Sequence, residues 1–306
     1  MAVEVVKKEE IRESRRRFLT AAGSSLLLTA CAMPPSGGEL EFVGTQADIN
    51  GAKLYYSSAG QGAPIVFLHA FMLDQRMWDA QFHALASHFR VIRYDLRGFG
   101  RSSLPDPAVP YSHRDDLRAL LVHLNLKKAH LVGASMGGRI ALDFALAYPE
   151  FSDAIALLDP VLGGWEWSPT WLSSYGNVVR AAQRGDIAAA KAAWLSHPIF
   201  ATARTNPELY TRLRQMVNDY SGWHFTHADP ARELSPVAAR QLNRLRGPLL
   251  TIVGERDLPD FQNIAQRLER DARSQRVSLP GVGHLCGMEA PERVNERLIS
   301  FFKAAV

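Results

Sequence analysis

The stretch Leu131-Val132-Gly133-Ala134-Ser135-Met136-Gly137-Gly138 leaves the chain few ways to fold locally. Apolar Ala129 to Val132 reads as a buried strand, and the alanine-rich run from Arg139 to Tyr148 carries a helical pattern. A short glycine-bounded segment must therefore turn strand into helix at Ser135, in the form G-x-S-x-G. A side chain held there stands above the sheet. The amides of the helix's first turn lie beside it without intrahelical partners, ready to meet developing negative charge. In a chain with 22 glycines the pattern alone is weak evidence, so the remaining residues decide its meaning.

At 306 residues, 47% apolar and 22% charged, the chain can bury a large core, and one domain with an insertion fits this length. The formal charge is +4, but residues 1–30 contribute six Lys or Arg against four Glu. The remaining +2 gives no case for nucleic acid as a partner. The only cysteines are Cys31 and Cys286, which excludes a disulfide framework and a cysteine-based zinc site; no metal is expected.

Residues 1–30 read as an export signal. Ser14-Arg15-Arg16-Arg17-Phe18-Leu19-Thr20 is similar to a twin-arginine motif, and Ala21 to Ala30 is too short an apolar run to span a bilayer as a mature helix. Leu28-Thr29-Ala30-Cys31 resembles a lipobox, which would make Cys31 a lipidated mature N-terminus and anchor the protein to a membrane in the periplasm. Ala30-Cys31-Ala32 also fits ordinary signal cleavage. Scarcity of cysteine favours the lipobox. Residues 31–40 then form a flexible tether.

From residue 41 the pattern alternates. Glu41 to Asp48 and Lys53 to Ser57 predict a hairpin around Asn50-Gly51. Pro64 to His69 is a buried strand, Gln75 to His88 a helix, Arg90 to Asp95 a strand, and Asp115 to Leu124 an amphipathic helix. After the elbow come strands at Ala154 to Leu158, Pro248 to Val253 and Gln275 to Leu279, with helices at Phe261 to Arg270 and Glu292 to Phe302. This predicts an α/β fold with eight strands, mostly parallel, helices on both faces, and a ligand site at the carboxyl ends of the strands. Asp257 and His284 fall at such ends. A serine hydroxyl needs a base to take its proton, and imidazole titrates near the working pH, so His284 is the candidate base for Ser135. Asp257 is the candidate to orient His284, with Asp159 as second choice. Asp159 and Asp260 otherwise read as a turn residue and a helix cap.

From about residue 43 onward the chain resembles the α/β-hydrolase superfamily, nearest the branch of small esterases, enol-lactone hydrolases and cofactor-free haloperoxidases or perhydrolases. The resemblance rests on Phe67-Leu68-His69-Ala70-Phe71, Asp95 to Ser102, the elbow, Gly254-Glu255-Arg256-Asp257, and Gly283-His284 followed by Glu289-Ala290-Pro291-Glu292. The order Ser135, Asp257, His284 also matches. The resemblance implies an acyl-enzyme mechanism without a cofactor, and an oxyanion hole from the backbone N–H of Met136 and of Phe71. Here the family's His-Gly pair is His69-Ala70, so a β-carbon enters that loop. His69 is expected to be structural, as are Asp95 and Arg97 in a fixed polar turn. A serine at the elbow argues against the haloalkane dehalogenase and epoxide hydrolase branches, which use aspartate there.

The core is expected over 41–160 and 235–306, interrupted by a helical cap at 161–234. Five of the six tryptophans fall in the cap, with helical patterns at Asn177 to Gln183, Asp186 to Leu195 and Glu208 to Asp219. Trp165, Trp167 and Trp223, with Met72 and Met288, are the candidate pocket wall. Such a wall suits an apolar or cyclic small-molecule ester or lactone. Carbon-carbon bond hydrolysis and perhydrolysis would use the same three residues, and a catalytically silent surface-binding lipoprotein is the alternative from another class. Cys286 reads as a buried thiol. The sequence is silent on oligomeric state.

Overall fold

Asn50 and Gly51 both take the left-handed backbone (φ 47° and 75°) that a two-residue hairpin favours. They join strand β1 (Thr45–Ile49) antiparallel to β2 (Ala52–Ala59). The computed structural model describes residues 44–305; the twin-arginine stretch, the lipobox with Cys31 and the 31–40 tether lie outside the described residues.

β2 pairs antiparallel with β4 (Arg90–Tyr94), and the sheet continues in parallel through β3 (Pro64–Leu68), β5 (Ala129–Ala134), β6 (Ser152–Leu158), β7 (Leu249–Gly254) and β8 (Gln275–Leu279). The spatial order is β1-β2-β4-β3-β5-β6-β7-β8. Every residue of β5 and β7 is buried, as continuous apolar runs covered on both faces require. At the edge, β8 exposes Gln275, Arg276 and Ser278, a polar rim that discourages pairing with another sheet.

Helices α1 (Asp79–Leu85), α2 (His113–His123) and α3 (Met136–Ala147) occur before the long β6–β7 connection. That connection carries α4 (Pro169–Gln183), α5 (Ile187–Leu195), α6 (Pro207–Asp219) and the single turn α7 (Trp223–Thr226). Then follow α8 (Pro259–Ala272), the single turn α9 (Cys286–Glu289) and α10 (Pro291–Ala305). α8 buries Phe261, Ile264 and Leu268, and α10 buries Val294, Leu298 and Phe302, in both cases one apolar stripe. Each such side chain contributes roughly 1.5–3 kcal/mol by leaving water. The sheet and the inserted helices belong to one compact unit.

The helix expected over Gln75 to His88 is instead a 3-10 turn, Gln75–Trp78, followed by the short α1. Asp74 caps the Arg76 amide and Asp95 takes the Gln75 amide, which commits the first donors to side chains and tightens the turn. α4 begins earlier than its apolar pattern suggests, because Ser168 caps the Trp171 amide and Pro169 occupies the first turn.

Candidate active site

Ser135 leaves β5 with φ 49° and ψ −113°, a backbone conformation that costs on the order of 1–3 kcal/mol for a residue with a side chain. Both neighbouring segments hold it there. Its N–H donates to Leu158 O at 2.9 Å, and its carbonyl accepts from Arg139 N and Val161 N at 3.2 and 3.0 Å. The flanking glycines are needed for close approach. A β-carbon at Gly133 would sit 2.4 Å from Gly137 O, and one at Gly137 would sit 2.1 Å from Leu68 O. Gly137 thus lets the first turn of α3, with the Met136 amide, abut the end of β3 and the loop that carries Phe71.

His284, in the loop after β8, places Nε2 3.0 Å from Ser135 Oγ. Its Nδ1 lies 2.8 Å from Asp257 Oδ2. The other Asp257 oxygen accepts the Leu258 amide at 2.7 Å, which fixes the carboxylate. Burial works to lower the His284 pKa; the charge and hydrogen bond of Asp257, with Asp159 and Glu289 nearby, outweigh it, and the net value rises above the ordinary 6.5. Glu289 also holds the loop itself, accepting the Gly283 and Leu285 amides at 2.8 and 3.2 Å.

Asp159, at the end of β6, does not bond His284. Its two oxygens accept the Gly254 amide at 2.8 Å and the Cys286 amide at 3.1 Å, so it ties the end of β7 to the loop of the base. Burial, then the charge of Asp257, raises its carboxyl well above the usual range. Asp260 is not the cap expected for α8, which starts after Leu258; it lies in the first turn, where Oδ2 accepts the Ser168 hydroxyl at 2.6 Å and Oδ1 accepts the Ser168 amide at 3.0 Å and the Trp165 indole N–H at 3.2 Å. Cys286 is a buried free thiol, and burial followed by the charge of Asp159 pushes its pKa well up.

In the Phe71 loop, His69 Nδ1–H donates to Ala70 O and Nε2 accepts the Leu96 amide, both at 2.9 Å. Burial holds its pKa at about 4, so this imidazole is a neutral brace. Ala70 is accommodated because the left-handed residue of the loop is Met72 (φ 58°), while the Ala70 amide turns to Met77 Sδ at 3.2 Å. Asp95 accepts the Gln75 and Arg101 amides, and Arg97 forms a bidentate pair with Asp116, both distances 2.8 Å.

A profile of the alpha/beta hydrolase fold family matches residues 63–291. The chain belongs to this family. Among the relatives of this hydrolase, the dihydrolipoyllysine-residue acetyltransferase component of an acetoin cleaving system from Pseudomonas putida is 29% identical, over 84% of this chain and 69% of that protein. Carboxylesterase YbfK of Bacillus subtilis is 25% identical over 94% of each chain. The crystal structure of an enol-lactonase from Burkholderia xenovorans LB400 matches with a TM-score of 0.70 at 25% identity, covering 85% of this chain and 100% of that one.

The inserted helices of the hydrolase bring aromatic rings over this group. Phe71 is the hub, with ring centroids of Phe99, Trp194, Tyr220, His224 and Phe225 all within 6.2 Å. Trp167 stacks on Trp171 at 4.5 Å and touches Phe261, whose ring lies 4.2 Å from that of His284. Trp165 is committed to Asp260, and Trp223 stacks on His227 at 5.1 Å. Met72 is fully buried beneath the loop, and Met288 is partly buried in α9. Sequence reasoning did not select Trp194, which meets Phe71, Phe261, which meets His284, or His197, which joins Trp194 to Trp171. Trp194 and His197 lie three apart at a helix end next to proline, a capping signal that gives no direction for the rings.

Proposed function

We propose that this chain is a serine hydrolase that cleaves an ester or lactone of a small, mainly apolar substrate. The observation that carries this reading is the continuous chain Ser135 Oγ, His284 Nε2, His284 Nδ1, Asp257 Oδ2, with links of 3.0 and 2.8 Å. Ser135 Oγ attacks the acyl carbon while His284 Nε2 takes its proton. The oxyanion that forms meets the Met136 and Phe71 amides. His284 then gives the proton to the leaving oxygen, which leaves Ser135 acylated. Water, deprotonated by the same nitrogen, releases the acid and restores the serine. Asp257 holds the Nδ1–H tautomer and stabilises the imidazolium without taking the proton. Relatives named carboxylesterase and enol-lactonase support oxygen esters as the substrate class. The inserted helices act in this reading as a cap whose rings form the apolar wall.

A fluorophosphonate probe tests the nucleophile. The folded protein should label at Ser135 and Ser135→Ala should not; failure of the wild type to label removes the proposal. A panel of aryl esters and lactones, compared between wild type and Ser135→Ala, then separates the substrate classes.

We also propose that residues 1–30 direct export and that Cys31 carries a lipid, which would place the hydrolase at a membrane facing the periplasm. Palmitate incorporation should vanish in Cys31→Ser, and Arg15→Lys with Arg16→Lys should block export. Lipid retained in the first variant, or normal export of the second, refutes the corresponding half.

A further inference from the structure

Two buried N–H groups without acceptors sit in the inserted segment. Trp194 lies in the last turn of α5 and His197 follows it, with ring centroids 5.3 Å apart. The residues are 5% and 2% exposed, and Trp194 Nε1 and His197 Nε2 meet no partner among the described residues. The tautomer of His197 follows from its cap: Ile199 N–H donates to Nδ1 at 3.2 Å, so in the neutral ring the proton is on Nε2. Burial, then the charges of His284 and Arg204, hold the pKa at about 4, which keeps the ring neutral at pH 7. Both groups are therefore uncharged donors. Buried donors nearly always find a partner, so an adjacent pair without one calls for an explanation.

Their place supplies it. Trp194 is 5.9 Å from Phe71, His197 is 5.0 Å from Trp171, Trp171 is 5.5 Å from Phe261, and Phe261 is 4.2 Å from His284. This line of rings runs from the proposed oxyanion loop to the base. The segment is held firmly: Arg204 Nη1 donates to Leu195 O and His197 O at 3.1 and 3.0 Å. Thr202 packs against Gly283, where a β-carbon would lie 2.7 Å from its Oγ1.

We propose that the Trp194 Nε1–H and His197 Nε2–H pair recognises a neutral carbonyl oxygen that the substrate carries away from its scissile bond. The proposal rests on the hydrolase reading above. A carbonyl oxygen has two lone pairs and can accept both donors. A carboxylate fits less well, since the rings recorded around the pair are aromatic and, among the described residues, the arginine whose charge acts on His197, Arg204, is tied through Nη1 to two backbone carbonyls. A site of this kind discriminates against an analogue that lacks the oxygen, because both donors then stay unpaired.

The test compares p-nitrophenyl esters of 4-oxopentanoic, 5-oxohexanoic and 6-oxoheptanoic acids with the matching unsubstituted acids. At one chain length or more, the ratio of kcat/KM for the oxo ester to that for its partner should exceed about tenfold in the wild type. Trp194→Phe keeps a ring without the N–H, and His197→Asn keeps an acceptor for the Ile199 amide while withdrawing the Nε2 donor. Each should lower that ratio by about fivefold or more. A ratio near one at all three lengths, or one that either variant leaves unchanged, overturns the pair. Calorimetric binding of methyl 5-oxohexanoate and methyl hexanoate to Ser135→Ala separates the two readings. Preferential binding of the oxo ester, with no hydrolysis of any ester by the wild type, sinks the hydrolase reading and keeps the donor pair. Hydrolysis of both ester series with equal binding does the reverse.

Discussion

Asp260, in the first turn of α8, holds Ser168 by both its hydroxyl and its amide, at 2.6 and 3.0 Å, and takes the Trp165 indole N–H with the same carboxylate. One side chain of the core thereby fixes the start of the inserted helices. Asp260→Ala leaves these donors without their acceptor and should cost about 2–3 kcal/mol. In urea unfolding the midpoint should drop, with Asp260→Asn falling between the two because it keeps one acceptor oxygen. Superimposable curves for alanine variant and wild type would mean that the anchor contributes nothing.

On the proposed mechanism, the raised pKa of His284 should set the acid limb of activity. A base must be neutral to accept the serine proton, so kcat/KM rises with pH through that pKa, and the midpoint should lie above 6.5. Asp257→Asn removes a charge that raises it. The limb should move to lower pH and the plateau rate should fall by about 10²–10⁴. A pH profile of aryl ester hydrolysis reads both; a limb in the variant at the wild-type position would contradict the assignment.

Asp159 leaves a signature in stability rather than in rate. Its folded pKa is raised above the ordinary 3.8 by burial and by the charge of Asp257. Folding is then favoured by proton uptake: the contribution is full below 3.8 and is lost as pH rises through the raised value. Asp159→Asn cannot titrate and sets an NH2 group against the Gly254 or the Cys286 amide. Its stability should be lower by about 1–3 kcal/mol at acid pH, and the deficit should shrink as pH rises. Unfolding free energies measured across the pH range test the slope, and a constant deficit would rule out titration at this site.

Gly137→Ala and Gly176→Ala should behave oppositely. The new β-carbon at 137 meets two backbone carbonyls, Leu68 O at 2.1 Å and His69 O at 2.8 Å, so α3 and the Phe71 loop must separate. The loss of one oxyanion donor costs about 10²–10³ in kcat, and Gly137→Ala should approach that. At 176, inside α4, the nearest atom is the flexible end of Arg180 at 3.1 Å. There alanine should stabilise the helix by about 0.5–1 kcal/mol. Paired kcat and melting measurements on the two variants decide the matter.

The sheet and the positions of Ser135, Asp257 and His284 were legible because each follows an apolar run and a parallel sheet gathers its strand ends on one rim. The directions of rings in the insert were not. Periodicity tells which face of a helix is buried but not what covers it: Trp223 packs on His227, while Trp194 and His197 lie in the line of rings between Phe71 and His284. Asp159 and Asp260 read as local turn and cap residues, yet their partners Gly254, Cys286 and Ser168 lie far along the chain, beyond any local pattern.

On the proposed mechanism, the left-handed backbone of Ser135 sets reactivity against durability at one residue. Glycine adopts φ 49° without the β-carbon penalty, so Ser135→Gly should fold at least as stably as the wild type while losing its ester chemistry. A lineage released from the demand for hydrolysis would find that replacement open to it.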